Sequence, residues 1–505
     1  MHSTTSTITT NKLFWLMQSS FFTMTGIAFI SHLFFNTNTY IFTVQGQILS
    51  FISTGLFLTF LVLIFLKMNA IPLSFIYLAH GLILAIQIGI ATQLEIDFLH
   101  DLIFIADNAR VTNDLFTWPG YFSTYPNNFI LFFFFRSIYG LLNVLGLGAF
   151  FHFVLVTTSL LAVNLSLILV FHVVKLFFGN RQANISWLLA LCLIAPNSLI
   201  FAPYTDTLSM PFLMGQLYLY GKLLQRQDKF FATAFVLGML GSIGFLIKPT
   251  TMIPLIAITI IELIKDAEAW FHQKNTSQKD KQTMLSIHLL FDALLGFLLI
   301  HMMFQLFIRF QSVLPFDPDI AFPAEHWIKM GLTTRYAGHG RYIFGGYYAD
   351  DFFFMHSFAT TAEMRTAARL VIGERLQAFG FLGYLEFLLS KGRWITSDGL
   401  FAGTGLMSIG EISRWYRYLF QGIWATTLFM IVGQMFFKQN HEHRLKLVTI
   451  CSLIGIMLQI LLMEASPRYL INHLPLFAIL ASFFIRECES KLNRPSKPDF
   501  KRDQP

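Results

Sequence analysis

Between two apolar runs of this chain lies QLEIDFLHDLIFIADNARVTNDLFTWPGYFSTYPNN, residues 93–128, with Glu95, Asp97, His100 and Asp101 directly behind the first run. A carboxylate at a membrane surface can take the proton of an attacking hydroxyl or amine, or hold a divalent cation through oxygen ligands. The plain alternative is a solvated loop in which acids are unremarkable. Asp101 and Asp97 are both candidates for a catalytic carboxylate. Further along, His326 can titrate near neutrality, bind a phosphate oxygen or take a proton. Trp327, Tyr347 and Trp394 offer apolar faces with a polar edge for a ring-shaped ligand, although Trp and Tyr also populate interfacial belts with no catalytic task.

Two cations stand where apolar runs end. Lys248-Pro249-Thr250 falls between two runs, and Glu464-Ala465-Ser466-Pro467-Arg468-Tyr469 opens the last one. At headgroup level either cation can hold a phosphate, and Arg can engage two of its oxygens at once; a lone cation can also simply snorkel. Tyr204-Thr205-Asp206 forms a tiny turn between runs. Asp206 is either a carboxylate on the same cavity as the cations or the cap of the helix that follows, with the cap slightly favoured.

The elements that carry these residues are apolar. Hydrophobic residues make up 55% of the 505 and charged residues 12%, against about 45–50% and about 25% in soluble domains. The 58 Phe exceed what one globular core can hide, and lipid accepts such a surface because a helix satisfies its own backbone. The net charge of +7 lies in short loops between apolar runs, the pattern of helices held against an anionic leaflet rather than of a nucleic-acid partner. Cys192, Cys451 and Cys488 have no metal-ligand spacing, which argues against a zinc site or disulfide framework. The first apolar stretch starts like a signal peptide but continues to about Phe35 without a small-residue cleavage site, so it reads as a retained span.

The apolar runs are 14–35, 47–67, 71–92, 148–174, 185–203, 207–221, 230–247, 250–264, 287–308, 416–437, 447–463 and 467–485. About 20 residues cross a bilayer, so 207–221 and 250–264 are short enough to be tilted, broken or half-spanning. Basic loops alternate with acidic or neutral ones in a way that predicts both termini inside. Residues 128–145 could pass for another span, but counting it would invert the later loops and sink Arg136 in the bilayer, at about 2.5–3.5 kcal/mol or more. This stretch is expected to lie in the outer interface with Arg136 snorkelling, and 376–390 looks like a second interfacial helix. The expected fold is an all-α polytopic membrane protein of about twelve transmembrane helices. Its predicted parts are two additional N-terminal spans (1–70), a transmembrane core (71–308) with its outer loop 93–147, an extracytoplasmic cap (309–415), C-terminal spans (416–485) and a basic cytoplasmic tail (486–505). The cap holds ten basic and ten acidic residues, which a long loop tolerates on either side.

With these residues in place, the chain resembles the GT-C superfamily, integral-membrane glycosyltransferases that use polyprenyl-phosphate-linked sugars. In that superfamily an early span delivers an Asp into the first large outer loop. Relatives such as the lipid A aminoarabinose transferase and protein mannosyltransferases follow an acidic residue with a helix bearing alanines near positions +5 and +8. Asp101, Ala106 and Ala109 fit that spacing, and Tyr125-Pro126-Asn127-Asn128 looks like the polar-proline motif that introduces an interfacial helix. The chain lacks an adjacent Asp-Glu pair and has two spans ahead of the core, which keeps Asp97 in contention. A closer similarity is to GT-C-like membrane proteins of Gram-positive bacteria that carry Trp-x-x-Tyr-Phe-x-x-Tyr-Pro-Asn-Asn (here Trp118 to Asn128) and His-Trp-Ile-x-Met-Gly-Leu (His326 to Leu332). A Gly-Gly-Tyr (Gly345-Gly346-Tyr347) follows, and the similarity covers most of the chain beyond residue 70.

The resemblance implies transfer of a sugar from a polyprenyl-phosphate donor to a cell-envelope glycopolymer or lipid acceptor, in a bacterial cytoplasmic membrane and on its outer side. It implies catalysis by Asp101 or Asp97, donor phosphate on Arg468 and Lys248, and substrate contacts from His326, Trp327, Tyr125, Asn127, Asp206 and Tyr347. It fixes no cofactor and leaves a divalent metal as an option, and no nucleic acid is expected as a partner. No Gly-rich phosphate loop between strand and helix is present, which favours a lipid-linked over a nucleotide-linked donor. The rival expectation is a transporter or lipid flippase, which would place ionisable groups at mid-span; mid-span polar residues such as His152, His301 and Asp292 are sparse. A non-catalytic membrane scaffold is the third reading.

Overall fold

The fold is seen in a computed structural model that describes residues 14–27, 30, 44–67, 71–94, 96–111, 120–225, 230–272, 285–338, 341–396, 407–408, 414–437 and 443–492. Long runs without charge leave helix as the one local structure that satisfies every backbone group without water. Among the described residues, six helices are long and apolar enough to cross a membrane: Leu73–Gln93, Gly148–Phe178, Phe230–Ile247, Ser286–Phe310, Arg444–Leu462 and Pro467–Lys491. Their outward faces stay apolar, with Leu78 71% and Met302 60% exposed, as lipid-facing residues are.

Three other apolar runs are broken where the sequence carries proline or a cap. Run 185–203 becomes the 15-residue helix Asn180–Ile194 and a 3-10 turn, Ser198–Phe201, capped by Asn197 accepting from the Leu199 amide at 2.9 Å. Run 207–221 is two helices, Thr205–Leu208 and Met210–Gln225, and run 250–264 opens with the 3-10 turn Pro249–Met252 before the helix Ile253–His272. These interruptions put backbone turns, rather than helix walls, around Asp206 and Lys248.

Helix pairs close through small residues. A Cβ added at Gly238 would sit 1.8 Å from the Ala293 carbonyl oxygen, and one at Gly296 would sit 2.0 Å from that of Phe235. The helices Phe230–Ile247 and Leu285–Phe310 therefore touch backbone to backbone, which is how helices gain packing energy in lipid. One set of polar groups inside the bundle is matched across three helices. The Trp187 indole, which can only donate, gives its proton to His80 Nε2 at 2.8 Å. That leaves the ring proton on Nδ1, 2.9 Å from Asn164 Oδ1. Asn164 in turn donates to Gln87 at 2.8 Å, and Gln87 donates to the Ala195 carbonyl at 3.1 Å.

The stretch expected to lie in the interface is a separate helix, Phe129–Val144. Arg136 does not simply snorkel: its guanidinium donates to the Val111 carbonyl at 2.8 Å and rests on the Phe132 ring. The helix expected at 376–390 is part of a longer one, Thr361–Thr396, kinked at Gly380, whose φ of 60° favours glycine. Ahead of it come the helix Ala324–Gly331, a hairpin pairing Thr334–Gly338 with Arg341–Phe344, and the helix Ala349–His356. Arg375 grips Asp351 with two bonds, 2.9 and 2.7 Å, while buried Lys329 donates to the Asp351 carbonyl at 3.0 Å. These bonds tie three of the helices into one unit.

Candidate functional site

Asp101 sits in the first turn of the helix His100–Asn108. Just before it, His100 has φ 48°, a left-handed conformation that costs a non-glycine residue about 1–3 kcal/mol and that packing must impose. Tyr121 donates to one Asp101 oxygen at 2.9 Å, and Tyr204 stands 3.4 Å from the other. Asn128 donates to the Tyr121 hydroxyl oxygen at 2.7 Å, leaving the hydroxyl proton free for Asp101. Burial first, and the Asp101 charge second, push both phenols well above the usual tyrosine range, so both remain donors.

A second cluster meets this one through Tyr204. Asp206 is almost fully buried and pairs with Lys248, while Arg468 approaches its other oxygen at 3.3 Å. The Arg468 guanidinium lies over the rings of Tyr204 and Tyr469, 5.3 and 5.1 Å from their centres. The favoured reading of Asp206 as a helix cap is corrected: Tyr204 is the cap residue of Thr205–Leu208, and no side chain caps that turn. The burial of two cations beside Asp206 decides the matter, because an ion so placed needs its counter-charge more than an amide needs a cap.

Glu464 completes the group. Its carboxylate accepts from the Tyr469 hydroxyl at 2.6 Å, and its backbone amide donates to the Trp327 carbonyl at 2.7 Å. Burial pushes its carboxyl above the usual range, opposed by the Tyr469 hydrogen bond and by Arg468 and Lys391, and reinforced by the Asp101 charge. Asp101, Glu464, Arg468 and Tyr469 each keep part of their surface open. The arrangement therefore has a buried ionic floor of Asp206 and Lys248 under groups that a ligand can reach.

The remaining candidates divide. Tyr125 packs its ring against Tyr121, Phe322 and Trp327, at 5.1, 5.5 and 6.0 Å, within the field of Asp101 and Glu464. Tyr347 is half exposed and also feels Asp101. Asn127 is exposed and donates to Asn128 at 3.2 Å, so it is Asn128 that enters the site. Asp97 is exposed in a two-residue strand paired with Met407–Ser408, its neighbour Phe98 turned inward by strand alternation. It does not join the cluster. His326 also stands apart. It is fully buried against Phe322 and Trp327, at 4.2 and 4.9 Å. Burial pulls its ring down to about 3, so it stays neutral rather than titrating near neutrality. Glu95 and Trp118 lie outside the described residues. Among the described residues, no group of three or more His, Cys, Asp or Glu side chains is arranged to hold a metal ion.

The glycine motifs explain how the long segment reaches the site. A Cβ on Gly331 would meet the Met463 carbonyl carbon at 2.5 Å and the Glu464 nitrogen at 2.9 Å. Gly345, at φ 65°, accepts from the Ala465 amide at 2.8 Å and donates to the Thr333 carbonyl at 2.6 Å. The His-Trp-Ile-x-Met-Gly-Leu and Gly-Gly-Tyr motifs thus serve chiefly to press backbone onto residues 463–465. Residue type and spacing alone do not single out Tyr121, Asn128, Tyr204, Glu464 and Tyr469 as site residues. Tyr204 and Tyr469 adjoin residues that do stand out, and their neighbours' charges are the available signal.

A family model for conserved hypothetical integral membrane proteins matches residues 6–405, and the chain belongs to that family. No curated protein and no solved structure matches it.

Proposed function

We propose that this family member is a GT-C-type glycosyltransferase, moving a sugar from a polyprenyl phosphate to an acceptor hydroxyl or amine of the cell envelope. In this reading about twelve helices span a bacterial cytoplasmic membrane, both termini are cytoplasmic, and residues 309–415 cap an active site on the outer side. The observation that carries it is the meeting of Asp101 and Glu464 with the Lys248–Asp206–Arg468 cluster, from turns spread along the chain between residues 101 and 468.

The chemistry follows from charge and donor count. Lys248, Arg468 and Asp206 together carry one net positive charge, so they accept one phosphate anion. Arg468 is the more open cation and meets the phosphate first. Asp101 receives two phenolic donors on a rigid frame and keeps acceptor capacity for an acceptor O–H. The acceptor oxygen attacks the sugar's anomeric carbon from the face opposite the phosphate. The carbon–oxygen bond to phosphate breaks, the electron pair leaves with the lipid phosphate, and the acceptor proton passes to Asp101. The ionisable cluster lies in the turns between helices rather than at mid-span, which favours this reading over transport.

The test is Asp101→Asn in proteoliposomes supplied with a polyprenyl-phosphate sugar and envelope acceptor. Asn keeps an oxygen for Tyr121, so the protein is expected to fold while transfer falls about 10²–10⁴-fold. A folded variant with full transfer would sink the role of Asp101. Solute uptake into the vesicles without any transfer would support a transporter instead.

A further inference from the structure

Lys391 lies in the helix Thr361–Thr396, fully buried, and among the described residues no carboxylate stands at bonding distance from it. Its ammonium donates instead to three carbonyls: Gly331 at 2.9 Å, Leu461 at 3.0 Å and Met463 at 2.5 Å. Gly331 ends the helix Ala324–Gly331, and Leu461 and Met463 lie at the end of Arg444–Leu462. The last carbonyls of a helix lack intrahelical partners and form its negative pole. An ammonium has three donors and no acceptor, so three such carbonyls match it in number and sign.

We propose that Lys391 is the positioning residue of the site, pinning two helix C-termini together so that Glu464 and Arg468 face Asp101. The residues next to the clamp carry the consequence. Glu464 donates its amide to Trp327, and Ala465 donates its amide to Gly345, directly after the Met463 carbonyl that Lys391 holds. A Cβ on Gly345 would lie 2.6 Å from the Lys391 Nζ, so that glycine makes the room the ammonium occupies. Burial, partly offset by the Glu464 charge, draws the Lys391 ammonium down to about 8, so it stays mostly protonated at pH 7. The clamp itself concerns geometry alone, and its catalytic consequence rests on the glycosyltransferase reading.

Backbone hydrogen exchange of the full chain in detergent reads the clamp without any activity. In Lys391→Met, the amides of Glu464 and Ala465 are expected to exchange about tenfold faster or more, since buried charge-assisted bonds are lost, while the middle of Arg444–Leu462 keeps its protection. Wild-type exchange at those two amides would overturn the proposal. Should Lys391→Met lose its cooperative melting, the decision passes to Lys391→Ala with propylammonium or propanol in solution. Recovery of protection and melting with propylammonium alone is expected; recovery with neither, or equally with both, would overturn the clamp. In the transfer assay Lys391→Met is expected to lower kcat while propylammonium restores it in Lys391→Ala. Restored exchange without any transfer in the wild type would count against the glycosyltransferase reading and leave the clamp standing.

Discussion

Replacing Asp206 by Asn tests the ionic floor of the site. Asp206 and Lys248 expose 3% and 10% of their side chains and Arg468 15%, so solvent screens these charges weakly. At 3.3 Å and an effective dielectric constant of about 20, one such pair attracts by about 5 kcal/mol before desolvation is counted. Removing one partner of a buried pair costs about 3–5 kcal/mol, because the other charge is left uncompensated. Here two cations are left, and the net charge of the Lys248–Asp206–Arg468 cluster rises from one to two. An added anion should then recover what Asp206 supplied. Phosphate at about 100 times its dissociation constant would return about 2.7 kcal/mol. Thermal unfolding in detergent, followed by tryptophan fluorescence, reads both effects. Asp206→Asn should melt well below wild type, phosphate should raise its midpoint more than that of wild type, and a further Lys248→Gln should restore part of the loss. An Asp206→Asn protein that melts with wild type, or an equal phosphate shift in both, would refute the ionic floor and the phosphate site built on it.

Three further outcomes follow from the packing of residues 324–396. His326 is held near 3 by burial and by Lys329 and His356, against the opposing charge of Asp351, and returns to 6.5 when unfolded. Because its folded value is depressed, its stabilising contribution is complete above about pH 6.5 and falls as pH drops towards 3; at pH 5 the loss is about 2 kcal/mol. Limited proteolysis of this segment should therefore accelerate at pH 5, and His326→Phe should remove that acceleration. Gly331→Ala should cost about 1–3 kcal/mol through the forced shift of Met463 and should deprotect the Glu464 amide. Gly373→Ala, with nothing within 4 Å of the new Cβ, should instead be neutral or slightly stabilising in a melting experiment.

Helices are local, and this chain announces them. A charge-free run must satisfy its own backbone in lipid, so composition alone locates Leu73–Gln93 or Arg444–Leu462 within a few residues. The same logic reaches Asp101, Lys248 and Arg468, because charges stranded at the ends of apolar runs stand out against them. What the residues around those charges do was hidden. Whether Asp206 caps a turn or balances two cations depends on Arg468, 262 residues away. Whether His326 faces a ligand or a core depends on Phe322 closing over it, and Asn128 rather than Asn127 reaches Tyr121 because of a single 3-10 turn. Glu464 reads from sequence as a companion to Arg468, and Lys391 as one more basic residue in a long loop. Both gain their roles only when Gly331 and Gly345 let three separate backbones come within hydrogen-bond reach. Apolar burial needs only local pattern, whereas a polar site needs particular partners at angstrom distances, and only the assembled bundle sets which helix ends meet.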